Sequence, residues 1–139
     1  MRSSRRRSRE LALQELYAWQ LGGASLEALS AHAAESSEYA KADEPFFRKL
    51  LSGVLGEAAE LRGTLEPRLD RPWDELSPVE RAILMLAAYE LRYLPEVPFR
   101  VVVNEAIELA KSFGGTEGYK FVNGVLDRVA KQIRPGEGA

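Results

Sequence analysis

Apolar residues recur every three or four positions along almost the whole chain, and no run alternates polar and apolar residues for long enough to make a half-buried strand. The pattern restricts the fold to an all-α one. It is clearest over residues 77–94, where Val79, Ala82, Ile83, Leu84, Leu86, Ala87 and Leu91 cover so much of a helix circumference that this helix is expected at the centre of the fold. Its start is marked by Ser77-Pro78-Val79-Glu80. The serine caps free amides, the proline lacks only an N–H that would have no partner in the first turn, and the glutamate can bond back to the serine amide.

The other segments read in the same way. A first helix is expected over residues 8–21, with Ala12, Leu13, Leu16, Tyr17 and Gln20 on one side and Gly22-Gly23 as its stop. A short second one starts after Ser25, with Leu26, Glu27 and Leu29, and fades over residues 33–37. Behind Pro45, a third carries Phe46, Phe47, Leu50, Leu51, Val54 and Leu55. Leu61, Leu65 and Leu69, broken at Pro67, read as a helix tail plus a short helix leading to a turn at residues 71–73. Pro95 and Pro98 force a turn before a sixth helix from about Arg100, with Val102, Val103, Ala106, Ile107, Ala110 and Phe113 inward and Gly114-Gly115 as its end. Thr116 is the candidate cap of a seventh, which should bury Phe121, Val122, Val125, Leu126, Val129 and Ile133 before Pro135. The expectation is about seven rods joined by short loops, without internal repeats.

At 139 residues, roughly two-thirds of the unfolded chain's surface can be buried, enough for a core without covalent staples. The lack of cysteine removes disulfides, thiolate metal sites and cysteine nucleophiles. The formal charge of −2 conceals an asymmetry, because residues 1–9 (MRSSRRRSR) hold five of the 19 basic side chains and no acid. A +5 arm thus precedes a body with 14 basic and 21 acidic residues, and the arm points to an anionic partner. The expected organisation is a basic arm over residues 1–9, disordered without that partner, one all-α domain over 10–134 and a flexible tail over 135–139. Glu10, Gln14 and Glu15 break the apolar run that a secretory signal would need, and the acid-poor start is too short for a transit peptide. The longest uncharged apolar stretch, residues 82–89, is far short of a membrane span, so a soluble, cytoplasmic protein is expected.

Enzymatic chemistry finds little to stand on. His32 is the only histidine, so a Ser-His-Asp arrangement has one candidate base, in the least defined helix. His32 and Glu35 can share a helix face, but catalytic zinc takes three protein ligands and no second cluster completes the set, which favours a solvated histidine and no metal. No P-loop or dinucleotide glycine pattern is present, and no cofactor is expected. The carboxylate pairs Glu105/Glu108 and Asp70/Asp74 can divide acid and base roles, but on amphipathic helices such pairs usually form a solvated face. An acidic face can also meet a basic protein, a role open to Glu80 and Glu105. The arginines pair readily with phosphate, and an arm of this kind can fold against RNA as it binds. Tyr17 and Tyr119 can stack unpaired bases, although aromatics at helical spacing, Trp19, Phe113 and Phe121 included, serve equally as core.

Taken together, RRRSRELALQELYAWQL, FFRKLLSGV, SPVERAILMLAAYEL, VPFRVVVNEAIELAKSFGG and YKFVNGVLD resemble, in order and spacing, the NusB family of bacterial transcription antitermination factors over almost the whole chain. The resemblance implies two small helical bundles packed together and a protein without enzymatic activity. It implies binding to the boxA sequence, as single-stranded RNA, in nascent ribosomal RNA leader transcripts, together with the small-subunit ribosomal protein NusE. The pair joins other Nus factors on RNA polymerase, and some members form homodimers. The same fold occurs as an N-terminal domain of certain ribosomal RNA cytosine methyltransferases, but this chain stops where their catalytic domain would begin, so a standalone factor is expected.

By the same resemblance, Arg5, Arg6, Arg7 and Arg9 match the family's arginine-rich motif and would contact phosphates, and Tyr17 matches an aromatic implicated in RNA contact. The stretch over residues 114–123 matches an RNA-facing segment in which Lys120 is the phosphate ligand and Phe121 and Asn123 belong to the KFVNG motif. Glu80 matches an acid on the NusE-facing side, and helix capping alone explains it equally well. Glu105 is the second acid proposed for that partner. Arg68 stands where some relatives carry an aromatic, which would turn base stacking into phosphate pairing, and the roles of Glu117 and Tyr119 stay open.

Overall fold

The computed structural model describes residues 3–115 and 117–137, which contain seven α-helices, three short 3-10 turns and no strand. The chain divides at Gly56 into two compact units, where one domain over residues 10–134 was expected. The reason lies in which stripes satisfy each other. The first three helices pack among themselves, and of the remaining four, three gather around the fifth helix, which carries the longest unbroken run of buried residues.

The first unit holds α1 (Ser4–Gly22), α2 (Leu26–Ala34), a 3-10 turn (Tyr39–Lys41) and α3 (Glu44–Gly56). Helix α1 starts at Ser4 rather than at the expected Ser8, so residues 4–9 of the expected disordered arm are helical, and residues 1–2 lie outside the described residues. Ser3 accepts the Arg6 N–H at 3.1 Å as an N-cap, and arginines propagate helix well, so the basic segment is the first two turns. Tertiary contacts hold it. Buried Ser8 donates its hydroxyl to the Asp43 carbonyl at 2.7 Å and accepts the Asp43 N–H at 2.9 Å. At the other end Gly23 takes φ 69°, a left-handed value that suits glycine, and donates to the Trp19 carbonyl at 2.8 Å.

Leu13 and Leu16 of α1 are buried in this unit with Phe47, Leu50, Leu51 and Val54 of α3, each such side chain contributing about 1.5–3 kcal/mol. Tyr17 was expected on the buried side with them. It is 41% exposed, because one residue beyond Leu16 rotates a side chain by about 100° out of the stripe. Asp43 caps α3 by accepting the Phe46 N–H at 3.1 Å.

The second unit contains α4 (Ala58–Leu65), 3-10 turns at Glu66–Arg68 and Trp73–Glu75, α5 (Pro78–Tyr93), α6 (Phe99–Phe113) and α7 (Gly118–Ile133). Helix α5 is central as expected. Its ten residues 82–91 are all buried, and α4, α6 and α7 pack on it. The reciprocal capping box is formed, with Glu80 N–H to Ser77 Oγ at 3.1 Å and Ser77 N–H to Glu80 Oε1 at 3.0 Å. Helix α6 ends at Gly114, where a Cβ would stand 2.7 Å from the Ala110 carbonyl oxygen, too close for any other residue without a shift. Phe113, expected inward, is 37% exposed at that last turn, and Ile107, Phe121 and Ile133 are only half-buried. The expected cap Thr116 lies outside the described residues.

The expected flexible tail is also corrected over residues 135–137. The Glu137 carboxylate accepts the Phe99 N–H at 2.7 Å and pairs with Arg134 at 3.2 Å, supplying the α6 start with the acceptor that Pro98 lacks. No described helix is long and apolar enough to cross a membrane.

Candidate nucleic-acid interface

In the first unit the arginine-rich sequence is ordered by its acids and by one ring. Arg5 and Arg9 lie one turn apart, so both reach the same neighbour, and their guanidinium carbons stand 4.2 and 5.0 Å from the Phe46 ring centroid. Arg5 also pairs with Asp43 at 3.6 Å, and Arg7 pairs with Glu38. Exposure then separates them. Arg5 is exposed, Arg6 and Arg7 are half-buried, and Arg9 is 3% exposed, a side chain committed to Phe46 rather than open to a phosphate. Tyr17 is eleven residues from Arg6, which brings the two onto one line of α1 about 16 Å apart. Lys49, which sequence reading passed over, lines a shallow depression with Arg5, Asp43, Pro45 and Phe46. Helical spacing from Pro45 and Phe46 is the signal that would have found it.

In the second unit, Lys120 and Asn123 are exposed on the first two turns of α7, and Phe121 is half-buried. Lys120 pairs with Glu117 at 3.0 Å, and Lys111 lies 5.2 Å from the Tyr119 ring centroid, so Glu117 and Tyr119 each hold a cation of this segment. Arg68 is engaged through its backbone. Arg128 donates two hydrogen bonds, at 3.0 and 2.7 Å, to the Arg68 carbonyl, and Arg68 Nη1 donates to the Thr64 carbonyl at 3.3 Å. A residue not singled out in the sequence, Arg71, lies over Phe121 at 4.3 Å. Of the two acids, Glu80 opens α5 and spends one oxygen on its cap, and Glu105 stands half-buried in mid-α6.

The acid/base and metal candidates are absorbed elsewhere. Asp70 pairs with Arg71 at 3.0 Å and Glu108 with Lys111 at 3.8 Å. No group of three histidines or carboxylates that could hold a metal occurs among the described residues. His32 is 73% exposed, as a surface histidine should be, but its Nδ1 lies 2.8 Å from Oε2 of Glu15, a carboxylate only 3% exposed. The hydrogen bond to Glu15 and its charge, with a smaller contribution from Glu35, raise the His32 pKa above 6.5. A raised folded-state value means that this pair stabilises fully below the unfolded value near 6.5, and that the contribution disappears as pH climbs through the folded value. Urea unfolding is therefore expected to show a higher midpoint at pH 6 than at pH 8.5. His32→Gln should remove that difference; a difference that persists in the variant would assign it to another group.

The NusB family model matches residues 6–131. Among curated relatives, the transcription antitermination protein NusB of Thiobacillus denitrificans is 50% identical over 137 residues, covering 99% of this chain and 94% of the relative. That of Nitrosospira multiformis is 54% identical over 129 residues, covering 93% and 82%. Among solved structures, T. maritima NusB superposes with a TM-score of 0.84 at 30% identity, over 99% of this chain and 98% of that one. A crystal structure of the antitermination factors NusB and NusE in complex with dsRNA superposes with a TM-score of 0.80 at 28% identity, over 91% and 96%.

Proposed function

The chain belongs to the NusB family, and on that premise we propose that it is a non-enzymatic antitermination factor that binds boxA RNA of nascent ribosomal RNA transcripts together with NusE. In this reading the pair joins the other Nus factors on RNA polymerase in the cytoplasm, and no cofactor takes part. The observation that carries the proposal is the likeness, over 91% of the chain, to a NusB solved with NusE and dsRNA. The basic opening of α1 supports it, since closely spaced guanidinium groups release counterions from a phosphate backbone on binding. Arg5, Arg6, Arg7 and Lys120 would meet phosphates, and Tyr17, Phe121 and Asn123 the exposed bases. Arg9, buried over Phe46, would shape that face rather than touch RNA.

The test is a titration of the protein, alone and with NusE, into labelled boxA RNA, a scrambled single strand and a duplex, each at two salt concentrations. Preference for single-stranded boxA that sharpens with NusE is the expected result. Equal, strongly salt-dependent binding to all three, unimproved by NusE, would reduce the arginines to a polyanion binder. The acidic body favours a second reading, in which NusE binding is primary and RNA contact incidental.

Glu80 distinguishes capping from partner contact. Glu80→Gln keeps an oxygen for the Ser77 amide, and Glu80→Ala removes it at a cost of about 1 kcal/mol. If Glu80 faces NusE, Glu80→Gln should melt as wild type and bind NusE about tenfold more weakly, the loss of one charge-assisted contact. Wild-type affinity in that variant would leave Glu80 a cap alone.

A further inference from the structure

We propose that Arg71 is a base-stacking residue, its guanidinium forming the outer layer of a stack on Phe121 that receives an unpaired nucleobase of single-stranded RNA. The inference rests on the RNA-binding reading above and adds to it a residue and a ligand class. One face of Phe121 is taken, because the Arg71 guanidinium carbon covers the ring 4.3 Å from its centroid. A base that approaches on that face meets the guanidinium first.

Three features hold that layer in place. Asp70 accepts the Arg71 Nε–H at 3.0 Å, and a bond at Nε lies in the guanidinium plane, so it limits rotation of the plane. Pro72 follows directly and confines the Arg71 backbone to extended values. Arg128 clamps the Arg68 carbonyl with two hydrogen bonds, and it stands on α7 two turns from Phe121, so the loop and the ring are tied to one helix. The Arg71 side chain keeps 42% of its surface exposed.

The ring beneath the guanidinium favours a base over a phosphate. The Asp70 carboxylate lowers the charge that Arg71 offers to a phosphate, and the planar face held over Phe121 stacks on a base through dispersion and cation–π attraction. The ring beneath it sets Arg71 apart from Arg7 and Lys120, paired cations assigned to phosphates.

The experiment uses the full chain and a single-stranded boxA RNA with 2-aminopurine placed at each position in turn, read by fluorescence and by titration at two salt concentrations. Arg71→Lys keeps the charge and loses the plane; Arg71→Trp keeps a plane and loses the charge. Wild type should quench one 2-aminopurine position. Arg71→Lys should lose that quenching and bind roughly tenfold more weakly with an unchanged salt slope, and Arg71→Trp should restore most of both. If Arg71→Lys binds and quenches as wild type, or Arg71→Trp is as weak as the lysine variant, stacking is overturned. If Arg71→Trp binds more weakly with a reduced salt slope, Arg71 is a phosphate ligand and the proposal falls with the RNA reading intact. A wild-type protein that shows no salt-dependent RNA binding at all would overturn both.

Discussion

Replacing Arg134 by methionine is expected to destabilise the second unit by about 4 kcal/mol and to lower its melting midpoint by roughly 15 °C. The guanidinium is 7% exposed and closes the end of the central helix from outside it. Nε donates to the Leu91 carbonyl at 2.9 Å, Nη1 to Val97 at 2.7 Å, and Nη2 to Glu90 and Leu94 at 3.1 and 3.0 Å. The Glu90 and Leu94 carbonyls also accept the Leu94 and Val97 amides, each at 3.0 Å, but the Leu91 carbonyl faces Pro95, which has no N–H to offer, so removal of the guanidinium leaves buried acceptors that water cannot readily reach. Glu137, which caps the α6 start, loses its counter-ion in the same step. Arg134→Lys should recover less than half of the loss, because three donors on one nitrogen cannot span four carbonyls in a planar array. Trp73 reports this unit without interference when Trp19 is replaced by phenylalanine, so its fluorescence in a thermal melt is the measurement. A shift below 3 °C would mean that solvent replaces the guanidinium at the helix end.

Substituting alanine for Arg5, Arg6 and Arg7 together should weaken RNA binding about a hundredfold at low salt and flatten the logarithmic salt dependence by about two. The figure of two follows from about 0.7 per single-strand phosphate contact for three contacts. Helix content should hold, since alanine propagates helix at least as well as arginine and Ser3 still caps the first turn. The structure divides the effect. Arg5 is 49% exposed and pairs loosely with Asp43, whereas Arg7 is 16% exposed and already engaged by Glu38. Arg5→Ala with Arg6→Ala should therefore account for about two-thirds of the change in slope, and Arg7→Ala for the remainder only if the side chain exchanges Glu38 for phosphate. An unaltered slope in the triple variant would remove the arginine-rich turns from the interface.

Everything carried by neighbours within a turn or two was readable along the chain. Helical spacing with Pro78, Gly23 and Gly114 at the ends sets the all-α class and most boundaries, and Ser77 with Glu80 forms the capping box that those letters imply. The family was legible for a related reason, because the order of short motifs survives without knowledge of contacts. Tertiary structure alone decided the rest. A run of arginines reads as a loose arm until Asp43, Glu38 and Phe46 arrive from more than thirty residues away and dock that helical turn against the rest of its unit. Arg134 looks like the frayed end of a helix until it meets carbonyls some forty residues upstream, and Arg71 acquires its place only from Phe121, fifty residues on. Charge and spacing are local quantities, whereas the pairing of a buried or stacked guanidinium depends on which distant group the fold delivers to it, and no window on the chain contains both.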